Sequence, residues 1–143
     1  MTNPSVDSPL IKKDEFRANG ITIVSTEFVG KLNFRCFSEN TLILSKIKNI
    51  TGINLPLNAG EVYGNNEFRI QWLGPNEWII QCANDEKLNL MNNIKSELAQ
   101  EHYSITDVSD YYLTIRMSGK NSNEILSKGT ALDLKSYIFN KDM

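Results

Sequence analysis

Hydrophobic residues in this chain recur at two different spacings, and the order of those spacings limits the folds that the chain can adopt. Segments with a period of two are typical of half-buried strands, whereas a period near 3.6 is typical of amphipathic helices. The predicted strands cover residues 21–24, 31–37, 68–72, 78–83, 103–105 and 111–117. The predicted helices lie between residues 40 and 52, between 85 and 102, and over 122–128. The resulting order is β-β-α-β-β-α-β-β-α.

The inner part of this order, β-α-β-β-α-β, is the split βαβ pattern of ferredoxin-like domains. It predicts an α+β fold in which two helices cover one face of a largely antiparallel sheet, with a short C-terminal helix in addition. The opposite face of the sheet is a candidate interaction surface. Large aromatic residues are candidates to line that face: Trp72, Trp78, Tyr111 and Tyr112.

Capping residues predict where the two long helices begin and end. Ser38 and Asn40 offer oxygens that can cap the first helix, and Gly52 is expected to end it. Asn84 or Asp85 is expected to cap the second helix. The buried stripes are predicted at Ile43, Ile47 and Ile50 in the first helix, and at Leu90 or Met91, Ile94 and Leu98 in the second.

The remaining segments are predicted from their composition. Residues 1–20 are polar and contain two prolines, so they are expected to form an extended arm. Residues 21–143 are expected to form a single domain, because a chain of this length usually holds one. Residues 56–66 are rich in glycine, proline and asparagine, which predicts a loop.

The segment from residue 71 to 80 is predicted to be a tight hairpin with a large aromatic load. Trp72 and Trp78, the only tryptophans, lie symmetrically about Gly74-Pro75-Asn76, whose residues favour a turn. Glu77 is the one carboxylate in this hairpin, and it is expected to anchor the turn or a contact with a partner. The hairpin is therefore interpreted as a rigid packing element.

Charge and cysteine usage exclude several classes of protein. The 143 residues carry a net charge of −2, which disfavours a nucleic-acid or membrane-surface module with a basic face. The sequence has no apolar run of signal-peptide or membrane-spanning length, which favours the cytoplasm of a bacterium. Cys36 and Cys82 lie in strand-like apolar runs and are expected to be buried free thiols; a disulfide between them stays open.

No constellation of catalytic residues is recognisable in the sequence. His102, the only histidine, is expected to close the second helix, where a cation is favourable. Asp107 and Asp110 can be read as an acid–base pair, but short polar residues between strands more often form turns. A platform for single-stranded nucleic acid is suggested by Phe68, Arg69 and Trp72, but the acidic charge balance of the chain disfavours it. Four lysines on the predicted helices are expected to be solvated: Lys46, Lys48, Lys87 and Lys95. No catalytic, cofactor-binding or metal-binding residue is therefore predicted, and no dinucleotide or phosphate loop is present.

Two segments resemble a known family. Residues 73–78 (Leu-Gly-Pro-Asn-Glu-Trp) and 107–119, continuing to 125–129 and 132–134, are similar to gamma subunits of heterotetrameric sarcosine oxidase. The second segment also resembles the folate-binding fold of glycine-cleavage aminomethyltransferases. Three departures are Lys120 in place of a proline, residues 128–131 in place of Lys-Gly-Cys-Pro, and an end at Met143, where family members continue. A short variant or a truncated gamma subunit would both explain that end.

The resemblance implies a subunit of an α-β-γ-δ complex. The complex oxidatively demethylates sarcosine to glycine and hydrogen peroxide and, with tetrahydrofolate, forms 5,10-methylene-tetrahydrofolate. The resemblance assigns FAD, FMN and NAD to the large partner subunits and a structural role to this chain, which would then be a non-catalytic part of an enzyme. Alternatives are a stand-alone folate-binding or aminomethyltransferase-like domain and a partial homologue without a present role.

Overall fold

The structure, a computed structural model, describes residues 15–26 and 29–134. Its contacts divide the chain into two compact units. The large unit is the continuous stretch Val29–Ser109, and the small unit takes its described residues from both sides of it, 15–26 and 110–134. The predicted arm and the predicted domain thus both contribute described residues to the small unit, whereas residues 1–14 of the arm lie outside the described part.

The large unit is a five-stranded antiparallel sheet with two helices. Its elements are β3 (Val29–Cys36), α1 (Thr41–Thr51), β4 (Val62–Gly64), β5 (Arg69–Gly74), β6 (Glu77–Ala83), α2 (Lys87–Glu97) and β7 (Tyr103–Asp107). The strand order is β4-β5-β6-β3-β7. The first strand of the unit, β3, therefore lies in the sheet between β6 and β7. This order confirms the predicted split βαβ fold of the α+β class.

Period-two side chains of the sheet and the apolar stripes of both helices form one core. Phe34 lies opposite Trp78 on one side and Ile105 on the other, and all three strands point these residues toward the helices. The core consists of Leu32, Phe34, Cys36, Ile43, Ile47, Ile53, Leu55, Ile70, Trp78, Ile80, Cys82, Leu90, Ile94 and Leu98. The predicted helical stripes are confirmed, with Ile50 and Met91 partly buried at the edge of the core.

Helix α1 begins and ends at the predicted residues. The Asn40 side-chain oxygen accepts a hydrogen bond from the Ile43 N–H at 3.1 Å. At the other end, Gly52 adopts φ 73° and donates its N–H to the Lys48 carbonyl at 2.8 Å. A residue without a Cβ adopts this left-handed conformation at the lowest cost, which explains why the helix stops here.

The predicted cap of α2 is wrong. Asn84 and Asp85 lie in a turn, which the Glu86 N–H closes by donating to the Ala83 carbonyl at 3.1 Å. Glu86 is therefore the capping position, and its side chain makes no capping hydrogen bond. The turn uses the residues that the sequence offers as caps, so the helix begins at Lys87.

The predicted loop at residues 56–66 contains a strand. β4 pairs antiparallel with β5, and Val62 lies opposite Gln71. Val62 is buried although it is surrounded by turn-forming residues. A three-residue strand that itself ends in Gly64 is too short to produce a visible alternation.

The small unit is a three-stranded antiparallel sheet followed by a short helix. It contains β1 (Phe16–Ala18), β2 (Ile21–Ser25), β8 (Ile115–Ser118) and α3 (Ser122–Ser127), with strand order β1-β2-β8. β1 and β2 are joined by Asn19 and Gly20, with φ 49° and 72°, which are the positive angles that a two-residue hairpin needs. This hairpin includes residues that the composition assigned to the arm.

The strand predicted over residues 111–117 is wrong in its first half. β8 begins only at Ile115, opposite Ser25 at the end of β2. Tyr111 lies in a turn and its ring contacts that of Tyr112 edge-on, with centroids 5.1 Å apart. The alternation of apolar residues already begins at Tyr111, where β2 no longer offers a pairing partner. The alternation therefore overestimates the length of β8. Among the described residues, no helix is long and apolar enough to cross a membrane.

Candidate functional site

The hairpin of β5 and β6 turns at Pro75 and Asn76. Trp72 lies directly opposite Trp78, and a register shift between Trp72 and Gly74 precedes the turn. Asn76 adopts φ 70°, which asparagine tolerates better than most residues. The predicted turn is therefore confirmed, and the two tryptophans occupy the same face of the sheet.

That face is the one covered by the helices, so the predicted aromatic interaction surface is wrong. Trp78 is fully buried and Trp72 packs against the core beside it. Tyr111 and Tyr112 belong to no strand. The opposite face of the sheet instead carries mostly polar side chains, including Asn33, Arg35, Gln71, Glu77 and Gln81, although Ile79 is buried there. Phe68 also packs against the core, which excludes the stacking platform of Phe68, Arg69 and Trp72.

Bonds to β3 and the residues after it hold the tip of the hairpin. The Asn76 side-chain oxygen accepts the Ser38 N–H at 2.7 Å, and its carbonyl accepts the Cys36 N–H at 3.2 Å. Glu77 accepts a hydrogen bond from Asn33 Nδ2 at 2.9 Å and lies 3.8 Å from the Arg35 guanidinium. The expected anchoring role of Glu77 is thus realised within the chain.

Trp78 connects the hairpin to the loop after α1. Its indole Nε1–H donates to the Pro56 carbonyl at 2.7 Å, and both residues are fully buried. The Trp78 and Phe34 rings lie with centroids 6.2 Å apart. A buried indole requires such a partner, because an unpaired N–H in the core is costly. The conspicuous Leu-Gly-Pro-Asn-Glu-Trp segment therefore serves packing.

The Asp107-Val108-Ser109 segment closes the large unit through a second set of bonds. The fully buried Ser109 hydroxyl donates to Asp107 Oδ1 at 2.5 Å and accepts the Lys31 N–H at 3.0 Å. The Val108 N–H donates to the Lys31 carbonyl at 2.9 Å. These bonds continue the β3–β7 pairing past the end of β7 and tie the two ends of the unit together.

Asp107 is held as a carboxylate by its neighbours. Lys87 Nζ lies 3.1 Å from Asp107 Oδ2, and the Ser109 N–H and hydroxyl both donate to Oδ1. Burial raises the pKa of Asp107, but these hydrogen bonds and the Lys87 charge outweigh it and hold the pKa below its ordinary value. A carboxylate so engaged is a poor general base. Lys87, expected to be solvated, is instead the partner of this carboxylate.

His102 does not close α2, so the predicted capping role is wrong. The helix ends at Glu97, and a turn closed by the Glu101 N–H and the Leu98 carbonyl at 2.8 Å separates it from His102. The imidazole instead stacks on the Phe37 ring, with centroids 5.9 Å apart and planes inclined by 22°. Both rings border a cavity of about 400 Å³ that also meets Arg35 and Asn76.

The two cysteines are free and buried, as predicted. Cys82 lies opposite Gly30, six residues along β3 from Cys36, which corresponds to roughly 20 Å. Bridged cysteines have Cα atoms about 4.4–6.8 Å apart, so this structure excludes the disulfide. Burial raises the pKa of each thiol to about 11, which leaves little thiolate at neutral pH.

Within residues 15–26 and 29–134, no group of three or more His, Cys, Asp or Glu side chains could hold a metal ion. Lys46, expected to be solvated, donates to the Glu97 carbonyl at 2.6 Å and so links the middle of α1 to the last residue of α2. The large unit is thus a ferredoxin-like α+β fold. Its two most distinctive segments, residues 73–78 and 107–109, form hydrogen bonds that hold neighbouring parts of the sheet together.

The family described as "Sarcosine oxidase, gamma subunit family" matches residues 38–142. Because this match covers well over half of the sequence, the chain belongs to the sarcosine oxidase gamma subunit family. The resemblance noted at residues 73–78 and 107–119 is therefore confirmed.

A solved structure has the same fold. A chain of the heterotetrameric sarcosine oxidase from Corynebacterium sp. U-96, in complex with pyrrole 2-carboxylate, matches with a TM-score of 0.76 and 25% sequence identity. The match covers 84% of the present chain and 60% of that chain. The present chain therefore spans less than two thirds of its structural relative. No curated protein matches the sequence.

Proposed function

We propose that this chain is the gamma subunit of a heterotetrameric sarcosine oxidase and that its role in the complex is structural. The observation that carries the proposal is the match of one family over residues 38–142 together with a shared fold in a heterotetrameric sarcosine oxidase. The complex would convert sarcosine to glycine and hydrogen peroxide and, with tetrahydrofolate, form 5,10-methylene-tetrahydrofolate.

The use of the reactive side chains supports a structural role. Glu77 and Asp107 accept internal hydrogen bonds, and the Ser109 hydroxyl bonds on both sides. Burial keeps the thiols of Cys36 and Cys82 protonated at neutral pH. These five side chains are therefore used in the fold, as acceptors, as a donor or as buried thiols. FAD, FMN and NAD are accordingly proposed to be bound by the alpha and beta subunits, with tetrahydrofolate also bound by the partners.

The small unit offers a surface for the proposed alpha, beta and delta partners. Tyr111 is 80% exposed, Leu132 63% and Ile115 53%, which is unusual for large apolar residues so close in sequence. Further exposed apolar residues of this unit are Phe16, Tyr112, Leu113 and Leu126. Exposed apolar patches on soluble chains commonly mark protein–protein interfaces.

Coexpression tests the proposed assembly. The tagged chain is coproduced with the alpha, beta and delta subunits, and the purified material is examined for subunit content, flavin absorbance and sarcosine-dependent peroxide formation. We expect a 1:1:1:1 flavoprotein, and we expect the triple variant Tyr111→Ser, Ile115→Thr, Leu132→Ser to lose partners. Leu88→Ser, at a position of α2 that is 55% exposed, close to the 53% of Ile115, is the control and should assemble normally. Recovery of the tagged wild-type chain alone would refute the assembly.

The same complex tests whether the role is structural. His102→Gln removes the only histidine, and we expect sarcosine-dependent kcat to stay within about twofold of the wild-type value. A loss of several orders of magnitude with intact assembly would refute the structural role. Saturable tetrahydrofolate binding by the isolated chain would instead support the stand-alone folate-binding alternative.

A further inference from the structure

The large unit contains a cavity of about 560 Å³ that the proposed structural role does not use. It lies between the end of α1, the first turns of α2, the end of β6 and the segment that joins β4 to β5. The described residues that line it include Ile50, Glu67, Phe68, Glu86, Asn89 and Leu90. Its volume falls within the range of about 300–1,000 Å³ that is typical of small-molecule sites.

The cavity has an apolar floor. Leu90 and Cys82 belong to the buried core, and the half-buried ring of Phe68 and the side chain of Ile50 pack against that core. These groups offer a ligand both aliphatic and aromatic surface. A bound molecule with an apolar body would remove this surface from water, which favours binding.

The rim of the cavity is polar, and the charged side chains among its described lining residues are both carboxylates. Glu67 and Glu86 are both exposed, and three asparagines accompany them. Asn89 Nδ2 donates to Glu86 Oε2 at 3.2 Å, which fixes one carboxylate at the rim. The nearest lysine along the helix, Lys87, is not among the lining residues, because its ammonium group pairs with Asp107.

This combination favours a cation over an anion. Two carboxylates, with no basic side chain beside them among the described lining residues, repel an anionic ligand and attract a positive charge. The aromatic ring of Phe68 adds a second interaction that specifically favours alkylated ammonium groups. Asparagine side-chain oxygens can accept hydrogen bonds from a ligand N–H or hydroxyl.

We propose that this cavity binds a small organic ammonium ion. Its charged nitrogen lies between Glu67 and Glu86, and its apolar substituents contact Phe68 and Leu90. The described residues that form the site all belong to the large unit.

Choline and its neutral carbon analogue 3,3-dimethylbutan-1-ol are a matched pair of probes for this site. Titration of the full chain by calorimetry, with heteronuclear NMR to locate the shifted amides, should give saturable choline binding with shifts at residues 66–68 and 86–93. The neutral analogue should bind at least about tenfold more weakly, because it lacks only the charge.

Two substitutions test whether the carboxylates at the rim of the cavity recognise the positive charge of choline. Glu67→Gln combined with Glu86→Gln should weaken choline binding at least about tenfold and leave the neutral analogue unaffected. Glu39→Gln changes an exposed carboxylate outside the cavity and should alter neither. Intrinsic tryptophan fluorescence verifies that each variant is folded. Equal binding of both probes, undiminished choline binding by the double variant, or no saturable choline binding would each overturn the proposal.

Discussion

Replacing Ser109 by alanine tests the view that the Asp107-Val108-Ser109 segment locks the large unit. The substitution removes a hydroxyl that is 0% exposed and that bonds on both sides. The Lys31 N–H loses the acceptor that lies at 3.0 Å, and Asp107 Oδ1 loses one of its two donors, the hydroxyl at 2.5 Å, while the backbone N–H of residue 109 is retained. Alanine fits the same space, so the loss of bonding dominates the effect.

The size of the effect follows from these two bonds. A buried donor left without a partner costs about 1–3 kcal/mol, and a hydrogen bond to a charged group contributes about 1.5–3 kcal/mol. The two terms share one hydroxyl and are not fully additive, so we expect Ser109→Ala to lower the free energy of unfolding by about 2–4 kcal/mol. This is a large fraction of the stability of about 5–15 kcal/mol that is usual for a domain.

The pH dependence provides a second measurement. The folded protein holds the pKa of Asp107 below its ordinary value of 3.8. The carboxylate therefore stabilises the fold above that pH, and this contribution is lost as pH falls through the folded pKa. Without the Ser109 hydroxyl the pKa of Asp107 moves back toward 3.8. The variant therefore has less pH-dependent stabilisation from this carboxylate to lose as pH falls. The difference between wild type and Ser109→Ala should narrow as pH decreases from 7 to below about 4.

Urea unfolding followed by tryptophan fluorescence is a suitable assay, because Trp72 and Trp78 both belong to the large unit. Ser96→Ala, at an exposed position of α2, is the control and should change stability by no more than about 0.5 kcal/mol. If Ser109→Ala destabilises as little as the control and its pH profile parallels that of wild type, the locking role is wrong.

Three further predictions concern the core of the large unit. Gly30→Ala places a Cβ 2.9 Å from the Lys87 Cβ and should lower the free energy of unfolding in urea by about 1–3 kcal/mol. Gly74→Ala is the control and should be neutral, because nothing lies within 4 Å of the new Cβ. Equal effects of the two substitutions would refute this packing argument. Trp78→Phe loses its buried hydrogen bond and should cost about 2–3 kcal/mol, clearly more than Trp72→Phe, by chemical denaturation. Both cysteines have a pKa of about 11, so iodoacetamide at pH 8 should label the native protein far more slowly than the unfolded one by mass spectrometry; rapid native labelling would contradict their burial.

Periodicity predicts elements whose cause is local. The alternation through Leu32 and Phe34 identifies β3, and the helical stripes and the Asn40 cap identify α1, because neighbouring residues determine these features. The Asn19-Gly20 dipeptide is also a local signal, and it is sufficient to predict the hairpin that a purely compositional view of the arm overlooks.

Features that depend on distant partners could not be predicted in the same way. The Ser109 hydroxyl accepts a hydrogen bond from the Lys31 N–H only because the fold brings Lys31, 78 positions away in sequence, beside it. The length of β8 is likewise determined by where β2 ends at Ser25, and not by the apolar alternation that begins at Tyr111. The orientation of Trp78 toward the helices follows from the register with β3, which no single segment encodes.

The arrangement of the small unit has a consequence for synthesis of the chain. β1 and β2 can pair as soon as both emerge from the ribosome, since only Asn19 and Gly20 separate them. The other edge of β2 must wait for β8, because Thr22 pairs with Ser118. At about 5–20 residues per second this wait lasts roughly 5–20 s, during which the whole continuous large unit emerges. One edge of β2 can therefore be paired early by β1, whereas its other edge stays without its partner strand until β8 has been synthesised.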